Sequence, residues 1–142
     1  MWKSTMAAFA LATGLLVAQT DAKPAQFQFM VGKWKAETGS FSFLPELDGH
    51  VLVRRNVNNT PGQKHEDLMI VYLEDTPKAI YFDTEGHTIR YEITFPSKTA
   101  AVFDSVGPGP KYKLSYTLNG EKLDGRFDVN GKTYLQWTTT RE

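Results

Sequence analysis

The chain has 142 residues, 16 basic and 16 acidic side chains, a formal net charge of zero and no cysteine. Balanced charge without a basic run excludes a partner held by charge alone, whether nucleic acid or an anionic membrane surface. The lack of cysteine excludes disulfide staples, a thiol nucleophile and lipid attachment through a cysteine.

The chain opens on Met1-Trp2-Lys3-Ser4-Thr5, a short basic start, followed by the uncharged apolar run Met6 to Ala18 and the polar end Gln19-Thr20-Asp21-Ala22. This is the three-part layout of a secretory signal peptide, with cleavage expected after Ala22. The apolar run is shorter than the roughly 20 residues a membrane-spanning helix needs. Residues 1–22 are therefore read as a signal peptide and 23–142 as one domain, exported to the periplasm or medium, with no stable membrane insertion after cleavage.

From Phe41 onward, short β-branched or aromatic runs alternate with turn residues, and no amphipathic helical stripe occurs. Strands are expected near 33–43, 48–57, 65–73, 78–84, 87–95, 99–106, 111–118, 121–129 and 133–141. A two-residue Glu85-Gly86 loop would set Phe82 opposite Ile89 and Ile80 opposite Tyr91. A two-residue Asn119-Gly120 loop would set Tyr116 opposite Leu123 and Tyr112 opposite Phe127. At the last hairpin, Asn130-Gly131 as a plain two-residue loop would turn Leu135 and Trp137 away from Phe127. A three-residue loop, Asn130-Gly131-Lys132, sets Phe127 opposite Leu135 and Trp137 opposite Gly125. Such a meander predicts an all-β fold, a small antiparallel up-and-down barrel of about 8–10 strands, with a two-sheet sandwich as the alternative.

Phe29-Met30-Val31-Gly32-Lys33-Trp34 resembles the Gly-x-Trp start of lipocalins and fatty-acid-binding proteins, the calycin group. The resemblance implies that Trp34 closes one end of the barrel and that Arg141, near the end of the last strand, lies across its ring, with Gly32 at the same closure. Leu47 to Asn56, His65 to Met69 and Ile80 to His87 are similar to small exported bacterial lipocalin-like proteins of unassigned function. The chain departs from the group in lacking a helical lid and disulfides. Residues 132–142 hold no histidine, so the haem binding of a related barrel type is not implied, and no cofactor is expected.

The leading function implied is binding of a small apolar or amphipathic molecule inside the barrel. His87 shares the parity of Ile89 and Tyr91, and Arg55 that of Val51 and Val53, so both are candidate interior contacts for a polar or anionic ligand end. Tyr91, Tyr112 and Tyr116 would add hydroxyls to the same wall. His87 as a satisfied core residue and Arg55 as a solvated rim residue are the plainer readings. A second hypothesis uses His50, His65 and His87 as metal ligands, in a metal-binding or enzymatic barrel. A third is a protein-binding or inhibitor module with a solid core. No hydrolase, zincin or phosphate-loop motif occurs, and no catalytic residue is assigned.

Overall fold

A computed structural model describes residues 25–58 and 60–142. The expected signal peptide lies outside the described residues. After a short 3-10 turn at Ala25–Phe27 come ten strands: β1 (Gly32–Lys35), β2 (Gly39–Glu46), β3 (Val51–Asn58), β4 (His65–Leu73), β5 (Pro77–Asp83), β6 (Thr88–Ser97), β7 (Ala100–Ser105), β8 (Tyr112–Asn119), β9 (Lys122–Val129) and β10 (Lys132–Arg141). Each pairs antiparallel with its sequence neighbours, and β1 pairs with β10, closing the barrel. Closure leaves no long free edge, the main hazard of an all-β chain.

The first expected strand, 33–43, is in fact two. The chain reverses after Lys35, with the Ala36 N–H donating to the Gly39 carbonyl at 2.9 Å, and Trp34 pairs with Phe41. The last hairpin keeps the expected partners, Phe127 with Leu135 and Trp137 with Gly125, but reaches them differently. The loop is the two-residue Asn130-Gly131, both at positive φ (50° and 80°), and the register shift falls later, between Thr133 and Leu135. A bulge inside the strand restores the alternation that a longer loop would have restored. The β8–β9 turn is Gly120-Glu121, so Tyr116 pairs with Gly125 and Leu118 with Leu123. That register differs by two from the expected one, which leaves every side chain on its expected face.

Gly125 is where the core needs an absent side chain. A Cβ there would collide with the Trp137 indole, and the Tyr116 ring meets that indole at 6.1 Å between centroids. The glycine costs strand stability and makes room for a large ring.

The barrel has one closed end. Phe27, Phe29, Met30 and Trp34 are buried there, and Phe27 packs edge-on against Phe95. Trp34 is fully buried, and its Nε1–H donates to the Met30 carbonyl at 2.8 Å. The Arg141 guanidinium lies 4.3 Å above the Trp34 ring and donates to the Val31 carbonyl. Gly32 sits under that guanidinium, which a Cβ would strike. The ring, the cation and the missing side chain thus form one closure.

Candidate functional site

The opposite end carries the polar residues of the interior. It lies where β3 ends, β4 begins and β5 turns into β6, since Asn58 pairs with His65 and Asp67 with Asp83. Inside the barrel wall here, Arg54 is buried at 6% exposure and forms an ion pair with Asp67. The other Asp67 oxygen accepts from Asn56 Nδ2 at 2.9 Å and stands 3.1 Å from His65 Nε2. His65 Nδ1 stands 2.9 Å from Glu85. The Tyr81 hydroxyl donates to Asp83 at 3.2 Å and lies 3.4 Å from His65 Nε2. Asp83 Oδ1 accepts the backbone N–H groups of Glu85 and His87, and its other oxygen stands 2.8 Å from His87 Nδ1. One polar chain therefore runs from the barrel centre to its rim.

Arg54 is held between a carboxylate and two rings. Its guanidinium carbon is 5.1 Å from the Phe41 centroid and 6.0 Å from that of Phe43. Burial works against its charge, but the Tyr116, Asp67 and Tyr81 oxygens outweigh burial and hold its pKa above the usual value. Burial pushes the Tyr116 phenol up to about 12, against the pull of Arg54, so this hydroxyl keeps its proton at neutral pH. Burial likewise raises Tyr81 and Tyr91. Two fully buried polar atoms, Arg54 Nε and the Tyr116 hydroxyl, have no hydrogen-bond partner among the described residues.

Several expected positions are corrected. Arg55 points outward and is exposed, and its neighbour Arg54 takes the interior place. His87 lies just before the start of β6, 58% exposed, in the turn instead of the core. The β5–β6 connection runs from Asp83 to His87, Phe82 pairs with Thr88, and Tyr81 pairs with Ile89. Tyr81 therefore takes the inner place expected of Phe82, which is 40% exposed. Arg55 and His87 thus share no interior wall. The histidine triad also divides, because His50 is exposed in the β2–β3 turn, at the other end of β3 from His65 and roughly 25 Å away at strand spacing. Tyr91 and Tyr116 are buried inside, and Tyr112 stacks on Phe127 at 5.7 Å, half-buried towards the open end. Sequence reasoning missed Arg54, Asp67, Tyr81 and Asp83.

A groove of about 880 Å³ lies on the outer face of β8–β10, lined by Lys113, Ser115, Asp124, Arg126 and Thr138 among others. It is remote from the polar chain. Its carboxylates are already engaged, Asp124 by Thr138 and Asp128 by Arg126.

The polar chain makes stability depend on pH. Burial opposes a charged His65, but hydrogen bonds to Glu85 and Asp67 outweigh it and raise its pKa. That contribution is full below the unfolded value of about 6.5 and is lost as pH rises through the folded one. Asp83 is desolvated, yet the His87 N–H and ring and the Tyr81 hydroxyl hold its carboxyl low; a hydrogen bond from His65 does the same for Glu85. Their contribution is present above the unfolded value of about 4 and is lost as pH falls through the folded ones. Thermal unfolding in buffer containing a chelator should therefore show the cluster's full contribution between about pH 4.5 and 6.5. His65→Gln should flatten the alkaline side; an unchanged profile would show that His65 does not couple to folding.

No protein-family model matches this chain, and neither does any curated protein.

Proposed function

We propose that this is an exported, lipocalin-like barrel that holds a small, largely apolar ligand in its open half, with a neutral polar head directed at Arg54 and Tyr116. The observation that carries this reading is the pair of fully buried polar atoms Arg54 Nε and the Tyr116 hydroxyl, which lie against each other and have no further hydrogen-bond partner among the described residues, in a core otherwise made of rings and aliphatic chains. An unmade buried hydrogen bond costs about 1–3 kcal/mol, so a ligand oxygen that accepts from both atoms recovers energy the free protein forgoes. Phe41, Tyr91, Phe103 and Tyr116 are buried around this point, and Tyr112, Phe127 and Trp137 are half-buried beside it. An apolar wall with a few convergent polar atoms is the usual form of a small-molecule site.

Charge decides the head group. Arg54 is already neutralised by Asp67. A ligand carboxylate would meet the Asp67 charge and lose its own hydration, whereas an alcohol or carbonyl accepts the two hydrogen bonds without that cost. Titration with a long-chain primary alcohol and with the matching carboxylate, followed by tryptophan fluorescence, tests the reading. The alcohol should bind at least about tenfold more tightly, and Tyr116→Phe should weaken alcohol binding by about the same factor, as one hydrogen bond to a buried partner is worth about 1–2 kcal/mol. Tighter carboxylate binding would show that Arg54 acts as a free cation. Trp34, Met30, Phe43, Phe103 and Met69 are fully buried in the interior, and Phe43 and Met69 pair directly with Arg54. Failure of both ligands would therefore favour a solid-core module that binds a protein through its loops.

A further inference from the structure

We propose that His65, Asp83 and Glu85 form a divalent-metal site of the zinc class at the open end of the barrel. This is independent of whether the interior takes a ligand. Each of the three offers one donor atom, and these atoms lie within 4.8 Å of one another. Donors about 2.0–2.2 Å from a tetrahedral ion stand roughly 3.3–3.5 Å apart, so the set must contract by about an ångström. Glu85 is half exposed in the turn after β5 and can supply most of that movement. His87 Nδ1 is 2.8 Å from Asp83 but lies outside the set of mutually close donors, so the fourth position falls to water. Two carboxylates match the charge of a divalent ion, and an imidazole beside them suits zinc better than magnesium or calcium, which prefer oxygen throughout.

The groups behind the donors are already in place. His65 Nε2 is held by Asp67, whose side chain is 4% exposed and is itself fixed by Arg54 and Asn56. A carboxylate that accepts one ring N–H fixes the tautomer and leaves Nδ1, on the Glu85 side, as the ligand atom. Asp83 is oriented by two backbone N–H groups and the Tyr81 hydroxyl. In the metal-free protein the same donors are satisfied by each other. Metal uptake replaces the contact between His65 and Glu85 with two bonds to one ion, and ties the β5–β6 turn to β4.

Isothermal titration of untagged, chelator-stripped protein with zinc chloride tests this. One ion per chain should bind. Glu85→Gln, a change at an exposed position, should weaken binding at least about tenfold, the lower end of what even supporting groups contribute to metal sites. His65→Gln should weaken it further, and His50→Gln should leave it unchanged. Absence of saturable binding would overturn the proposal. So would an affinity insensitive to both Glu85→Gln and His65→Gln, or one lost with His50→Gln, since the ion would then sit on an unrelated surface.

Discussion

Trp34→Ala should destabilise the protein by about 3–5 kcal/mol, the usual cost of removing a large ring from a site that cannot collapse around the gap. The site cannot collapse because it is fixed from three sides. The ring is fully buried, its N–H is held by the Met30 carbonyl, and its strand pairs with both β2 and β10. Arg141→Ala should cost less, about 1 kcal/mol, because a cation over a ring is worth little while the cation stays hydrated. Urea unfolding monitored by circular dichroism gives both values from shifted midpoints at constant slope. A loss below about 1 kcal/mol for Trp34→Ala would mean that the closed end is not part of the cooperative core.

Asp67→Ala should be comparably severe, about 3–5 kcal/mol, for a different reason. It removes little volume but leaves the Arg54 guanidinium buried without its counter-charge. It also strips an acceptor from Asn56 and His65. The double variant Arg54→Met/Asp67→Leu should recover much of that loss, because two apolar side chains impose no desolvation penalty. The two unfolding curves distinguish a buried pair from one that reaches water. If Asp67→Ala alone costs under about 1 kcal/mol, Arg54 is solvated and does not define a site.

The barrel was legible because most of its hairpins carry one clean apolar face. In β6 and β8, alternation sorts Tyr91, Ile93, Leu114 and Tyr116 to the inside without ambiguity. Trp34 and Arg141 were legible as a pair through the resemblance to the calycin group, and the structure joins them because the closed barrel sets the first strand beside the last. Alternation failed in β3 and β5, where both faces are apolar. Leu44, Val53, Ile70 and Ile80 align in register across β2–β5 on the outside, with Phe82 beside Leu68. Against that outer row, the inner row of β3 includes Arg54 and Asn56, and that of β5 includes Tyr81 and Asp83. Hydrophobicity alone therefore assigned Arg55 and Phe82 to the interior. The polar chain was hidden for the same reason. Its members lie on three strands and a turn, and only the register between those strands brings them together.

If Arg54 and Tyr116 form the polar floor of a binding site, nuclear magnetic resonance reads that floor directly. In ¹⁵N-labelled protein titrated with a long-chain primary alcohol, the Arg54 Nε–Hε resonance should shift saturably, together with the Tyr116 and Trp137 signals, and Tyr116→Phe should reduce the Arg54 shift. Arg55, on the outer face, should not respond. Shifts confined to loop or outer-face residues, with Arg54 Nε–Hε unmoved at saturation, would contradict the account.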